Sequence, residues 1–212
     1  MTKIERHESN GVRGFVHAPA RTGAGGPGLV LTHGAGSDCD APLLREAASA
    51  FAASGMTVLR CDLPFRQKRP QGPPSPAGAA EDREGLRRAI AAMRAFAAGP
   101  VILGGHSYGG RQASLLAADE PALAAALLLL SYPLHPPKKP AQLRTAHLPR
   151  LAVRCVFVHG TRDAFGTIPE LEAALALIPA ETRLIRVEGA GHDLRRGRFD
   201  WGPAVAGLAT GR

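Results

Sequence analysis

The chain has 212 residues, 45% of them hydrophobic and 21% charged, with a formal net charge of +8 and a pI near 10.2. That length suffices for a single α/β domain, residues 1–212, burying about 70% of its unfolded surface with no disulfide or metal staple. A basic chain can neutralise phosphate backbones, but here 22 of the 26 basic residues are scattered arginines and only 5% of residues are aromatic. The charge pattern therefore argues against a nucleic-acid partner.

The N-terminus, Met1-Thr-Lys-Ile-Glu-Arg-His-Glu8, is charged and lacks the apolar core of a signal peptide. A strand is expected near Gly14-Phe-Val-His17, followed by a Gly/Pro-rich turn from Pro19 to Pro27, so this segment reads as an edge hairpin or a frayed start. Gly28-Leu-Val-Leu-Thr32 is a compact apolar strand that runs into His33-Gly-Ala-Gly36. Leu43, Leu44, Ala47, Ala48 and Phe51 have helical spacing across Pro42 to Ser54, and Gly55 is a C-terminal stop. Met56 to Cys61 is the next strand. From Asp62 to Pro76 the composition turns to Pro, Gly, Arg and Gln, which predicts an irregular loop.

A long amphipathic helix fits Ala79 to Ala98, with Leu86, Ile90, Met93 and Ala97 on one face. Val101-Ile-Leu-Gly-Gly-His-Ser-Tyr-Gly-Gly-Arg111 reads as a strand, a sharp turn and a helix start with Ser107 at the apex. Ala124 to Leu130 is apolar on both faces, as a central parallel strand must be. That strand belongs to the longest apolar run, from Ala122, which is too short to span a bilayer. Residues 131–150 carry five prolines, with helical turns expected in Ala141 to Leu148, and are too few for a lid domain. Cys155 to Val158 is a strand leading to His159-Gly-Thr-Arg-Asp163; Ile168 to Ile178 is a helix; Arg183 to Val187 is a strand before Gly189-Ala-Gly-His-Asp193; a last helix lies near Pro203 to Ala209. Strands and helices alternate from residue 28 onward. The expected architecture is a mostly parallel, doubly wound α/β sheet with helices on both faces and no large lid.

In such a sheet functional groups gather past the carboxyl ends of the strands. These positions hold His33 to Gly36, Asp62, His106, Ser107, Ser131, Asp163 and His192. A Gly-x-Ser-x-Gly match alone is weak, since 8 serines and 25 glycines in this chain give roughly 0.1 matches by chance. Its strand-turn-helix setting adds the weight, because small residues two positions either side of Ser107 let a strained turn close on its neighbours. A bare hydroxyl is a poor nucleophile and needs a base. His192, after the last strand, can take its proton, and Asp163 can accept the other imidazole N–H and stabilise the imidazolium. Asp62 also follows a strand, and Asp193 adjoins His192 but cannot easily reach its ring. The backbone N–H of Tyr108 and that of Ala35, with Gly36 as second choice, are the candidate oxyanion donors.

The simpler reading of Ser107 is a helix N-cap. His33, His106 and His159 are best explained as residues shaping turns beside the site. Arg66, Lys68, Arg69, Arg195, Arg196 and Arg198 read as solvated surface charge, with an electropositive rim for anionic substrates as the sharper alternative for the last three. Cys39, Cys61 and Cys155 show no metal-ligand spacing and read as reduced thiols in the cytoplasm, Cys39 as inert packing and Cys155 in a buried strand.

His33-Gly-Ala-Gly36, Gly105-His-Ser-Tyr-Gly109, His159-Gly-Thr-Arg-Asp163 and Gly191-His192 together resemble the α/β-hydrolase superfamily over residues 28–212. More narrowly the chain looks like small lidless hydrolases related to dienelactone hydrolase, although those use cysteine where position 107 is serine. Ser131-Tyr-Pro-Leu-His-Pro-Pro137 and Arg144-Thr-Ala-His-Leu148 also resemble a group that includes the hydrolase-fold subunit of a chromatin acetyltransferase complex. The superfamily resemblance implies an ester, thioester or related acyl bond as substrate, opened through an acyl-enzyme. Our reading of the chain is accordingly a serine hydrolase of small or accessible acyl esters or thioesters, without metal or organic cofactor and with no membrane partner. The alternative is a hydrolase-fold interaction scaffold with weak or no catalysis, for which an intact Ser107, Asp163 and His192 would have no chemical use.

Overall fold

The computed structural model describes residues 2–19, 26–195 and 199–208. In chain order the strands and helices are β1 (Lys3–Ser9), β2 (Val12–Ala18), β3 (Gly28–Thr32), α1 (Pro42–Ala53), β4 (Thr57–Cys61), α2 (Pro64–Lys68), α3 (Ala79–Phe96), β5 (Val101–His106), α4 (Tyr108–Asp119), β6 (Ala126–Leu130), β7 (Arg154–Gly160), α5 (Ile168–Leu175), β8 (Thr182–Val187) and α6 (Gly202–Leu208). The strands form one sheet in the order β1-β2-β4-β3-β5-β6-β7-β8. The β1–β2 hairpin and its pairing with β4 are antiparallel, and all other pairs are parallel.

Near-continuous apolar strands are what a sheet covered on both faces demands. Alternate residues divide between two cores. Val30, Leu59, Leu103, Leu127 and Leu129 pack with Leu86, Ile90 and Met93 of α3, Leu116 of α4 and Leu171 of α5. Leu31, Val58, Ile102, Leu128 and Leu130 face the other way, against Leu44 and Phe51 of α1, Trp201, and Ala204 and Leu208 of α6. Each fully buried Leu contributes roughly 1.5–3 kcal/mol, so the central strands rigidly fix the loops that leave their carboxyl ends.

The expected elements are present, with shifted ends. The edge hairpin is complete, α3 stops at Phe96, and β6 begins at Ala126 rather than Ala124. Two differences affect the site. The Asp62–Pro76 segment is not wholly irregular: it folds α2, begun by Pro64 at a position where its missing N–H costs nothing. The helical turn in the insert falls at Leu148–Arg150, later than expected. The insert is packed down, with Tyr132, Leu134 and Leu148 all buried. No helix among the described residues is long and apolar enough to cross a membrane.

Candidate active site

Ser107 occupies the turn between β5 and α4 with φ 50° and ψ −114°, a conformation that L-residues adopt only when their surroundings enforce it. The sequence enforces it with Gly105 and Gly109. A Cβ at Gly105 would lie 2.8 Å from the Gly109 carbonyl carbon, and one at Gly109 would lie 2.5 Å from the His33 oxygen. The Ser107 N–H donates to Leu130 O of β6 at 2.8 Å and its carbonyl accepts from Arg111 N at 2.9 Å, fixing both sides of the turn. Ser107 holds the N-cap position of α4, yet its hydroxyl makes no capping bond. The simpler N-cap reading therefore does not explain the side chain.

That hydroxyl lies 2.8 Å from His192 Nε2, and His192 Nδ1 lies 2.8 Å from Asp163 Oδ2. With Asp163 accepting from Nδ1–H, Nε2 is left as the acceptor for the serine proton. Asp163 is buried and its Oδ1 accepts from Phe165 N at 2.8 Å. The loops after β7 and β8 are tied together by Arg162 N to Ala190 O at 2.9 Å and Gly189 N to Thr161 Oγ1 at 2.8 Å. The Phe165 ring stacks on His192 with centroids 4.0 Å apart and closes one side of the imidazole.

Two neighbouring histidines stay neutral and hold the arrangement. Burial, partly offset by its hydrogen bond to the His192 carbonyl, lowers the His106 pKa to about 4. Its Nε2–H donates to that carbonyl at 2.8 Å and sets the backbone of the proposed base. Burial likewise lowers the pKa of His159, whose Nε2–H donates to Gly166 O at 2.9 Å. His159 also lies 3.6 Å from Asp163, but as a neutral ring it forms no ion pair there.

The loop after β3 faces the same point. Ala35, Ser107 and Tyr108 line one cleft of about 390 Å³, whereas Gly36 does not line it. Neither the Ala35 nor the Tyr108 N–H donates to another described residue. Buried His33 has a lowered pKa, with burial the main cause. It accepts from Leu63 N through Nε2 at 3.1 Å and donates through Nδ1 to Gly34 O at 2.8 Å, joining the loop to the start of α2. Behind it Phe65 contacts the rings of both His33 and Tyr108. Tyr108 donates its hydroxyl to buried Asp82 Oδ2 at 2.7 Å, and Asp82 Oδ1 accepts from Phe65 N at 3.0 Å.

The model of the alpha/beta hydrolase domain matches residues 26–200 of the chain. The chain belongs to the alpha/beta hydrolase family. Solved structures of the same fold include dienelactone hydrolase from Anabaena variabilis ATCC 29413, 19% identical with a TM-score of 0.71 over 97% of this chain and 94% of that one. TT1662 from Thermus thermophilus is 22% identical, with a TM-score of 0.72 over 92% of both chains. An alpha-beta serine hydrolase homologue from Coxiella burnetii is 16% identical, with a TM-score of 0.67 over 98% of this chain and 93% of that one.

In this hydrolase the rival carboxylates have other partners. Asp62 Oδ2 accepts from Arg13 at 2.9 Å and its Oδ1 from Cys39 N at 2.8 Å, while Asp193 is exposed and accepts from Arg195 N. Cys39 is buried, and burial pushes its thiol pKa well up, which suits inert packing. Among the described residues no group of three His, Cys, Asp or Glu side chains could hold a metal ion.

One of the basic residues is misread by the sequence. Arg66 is not solvated surface charge: it is 4% exposed. Its Nε donates to Ser37 O at 2.8 Å and its Nη2 to Ala35 O at 2.9 Å, so it braces the loop that carries Ala35. Lys68 pairs with Glu81, and Arg69 and Arg195 are exposed, as expected of surface charge. Arg196 and Arg198 lie outside the described residues. Sequence reasoning missed Phe165, for which no local signal exists beyond its place two residues after Asp163.

Proposed function

We propose that this hydrolase cleaves small or accessible carboxylic esters or thioesters through an acyl-serine, with Ser107 as nucleophile, His192 as general base and acid, and Asp163 as the orienting carboxylate. The observation that carries the reading is the continuous relay from Ser107 Oγ to His192 Nε2 and from Nδ1 to Asp163, each step 2.8 Å, on a serine held at φ 50°. Ser107 Oγ attacks the carbonyl carbon as its proton passes to His192 Nε2. The oxyanion is met by the N–H groups of Tyr108 and Ala35, with Gly36 as the alternative to Ala35. Each donor contributes about 3 kcal/mol of transition-state stabilisation. His192 then gives its proton to the leaving alcohol or thiol. Water, deprotonated by the same imidazole, releases the acid and restores Ser107.

The test is labelling with a fluorophosphonate, comparing the wild-type protein with Ser107→Ala. The wild type should label and the variant should not; a folded wild-type protein that resists the probe, or a variant that labels equally, defeats the reading. Turnover of a p-nitrophenyl ester should fall by roughly 10³-fold or more in either Ser107→Ala or His192→Ala, and little further in the double variant, because the residues act as a unit.

A further inference from the structure

The cleft that holds Ser107 carries a second chemical character. Arg111 and Arg144 both line it, and no carboxylate among the described residues does. Arg111 stands four residues after Ser107 on α4, one turn along the helix, and therefore on the same side. Its Nε is buried with no hydrogen-bond partner among the described residues. No described residue accepts a bond or forms an ion pair with its guanidinium. Arg144 spends one bond on a neutral acceptor, Nη1 to Pro133 O at 3.2 Å, and has no carboxylate partner among the described residues. Its backbone is pinned, with N–H donating to Leu134 O at 2.8 Å and its carbonyl accepting from the Tyr132 hydroxyl at 2.7 Å. Burial and the charge of Arg111 both lower its pKa.

Surface arginines of the same protein behave differently: Arg87 and Arg150 each reach a carboxylate within 3 Å. Two cations drawn partly out of water without a counter-charge carry a cost that an anion between them would offset. The planar guanidinium fork matches carboxylate and phosphoryl oxygens, which it can bind bidentately.

We propose that Arg111 and Arg144 form an anion subsite in the Ser107 cleft, so that the substrate is an ester or thioester carrying a carboxylate or phosphoryl group. The inference rests on the hydrolase reading above for its substrate, though not for the binding of the anion. It locates charge recognition on α4 and the 131–150 insert rather than on the arginines after His192.

The test measures inhibition of p-nitrophenyl butyrate hydrolysis by glutarate, glutaramide and inorganic phosphate. At least one anion should inhibit competitively at a concentration tenfold or more below glutaramide. Glutarate being the better inhibitor identifies a carboxylate substrate, and phosphate being the better one a phosphoryl substrate. The discrimination should disappear in Arg111→Met and in Arg144→Met, be partly retained in Arg111→Lys, and persist in Arg150→Met. Wild-type protein that discriminates less than tenfold between both anions and glutaramide overturns the proposal, as does discrimination that survives both Met variants. The wild-type arm holds even if a variant fails to fold. Thermal-shift titrations with the same three compounds separate the two readings. Fluorophosphonate labelling with no anion effect sinks the subsite alone. An anion-induced shift lost in Arg111→Met, with no labelling or turnover, sinks the hydrolase reading alone.

Discussion

Arg66 and Arg111 both stand beside the loops that converge on Ser107 and have opposite fates. Arg66 lies beneath the loop after β3, and its guanidinium donates to four backbone carbonyls, those of Ala35, Ser37, Arg69 and Gly72. Its carbon centre sits 5.0 Å from the Phe65 ring centroid. Arg111, at the start of α4, has a buried Nε with no acceptor among the described residues. A guanidinium with its hydrogen bonds satisfied acts as a clamp on backbone, whereas one with them unmade is a place for something else to bind. The same residue type thus builds the site in one region and reads the substrate in the other.

The largest expected effect comes from breaking the clamp. Arg66→Met leaves four part-buried backbone carbonyls without their donor, and each one that stays shielded from water costs about 1–3 kcal/mol. A loss of roughly 3 kcal/mol or more in chemical denaturation is expected, with a fall in Tm of about 10 °C. Any folded fraction should lose kcat more than KM, because the Ala35 N–H is aimed by this loop. Arg111→Met, by contrast, removes a charge that has no partner and should change stability by less than about 1 kcal/mol. If the two variants lose equal stability, the distinction between clamp and reader is wrong.

A smaller effect tests how the base is held. Phe165→Ala removes the ring stacked on His192 and a wall of the cleft. Turnover should fall by about 10-fold, with labelling by the fluorophosphonate slowed but not abolished. Wild-type labelling rates would mean that Asp163 alone orients the imidazole.

Most of this architecture is legible in the chain, for reasons that also explain the omissions. Strands such as Leu127 to Leu130, apolar at every position, announce a sheet buried on both faces. Gly105 and Gly109 announce the turn around Ser107 because a Cβ at either would meet backbone, that of Gly109 in the first case and that of His33 in the second. The strand-end rule then places Asp163 and His192, since the sheet carries both loops to one edge. Arg66 and α2 are hidden by the opposite circumstance. A segment rich in Pro, Gly and Arg looks irregular, and the acceptors that bury Arg66 are carbonyls, which every residue possesses and no sequence pattern marks. Arg111 and Arg144 are separated by the whole of β6 and much of the insert, so only the packed chain makes them neighbours.

The smallest expected effect probes whether Arg111 is sensed by its surroundings. Burial first, and Arg111 second, lower the His147 pKa to about 4. His147 Nε2 lies 2.8 Å from Ser114 Oγ, and that hydroxyl donates to the Arg111 carbonyl at 2.9 Å, so the imidazole Nε2–H is the donor to Ser114. A folded pKa below the unfolded value of 6.5 means that the unfolded chain binds more protons between those limits. The stability that neutral His147 supplies is therefore complete above pH 6.5 and is lost as pH falls towards 4. His17 and His106, whose pKa values burial also lowers to about 4, steepen the same acid limb. Replacing Arg111 with Met removes only the second cause, so the His147 pKa should rise by a fraction of a unit, read by NMR titration, and the acid limb should become slightly shallower. Glutarate bound between Arg111 and Arg144 should raise it in the same direction. A His147 titration indifferent to both changes would mean that the Arg111 charge is already neutralised by solvent, and with it the reason to expect an anion there.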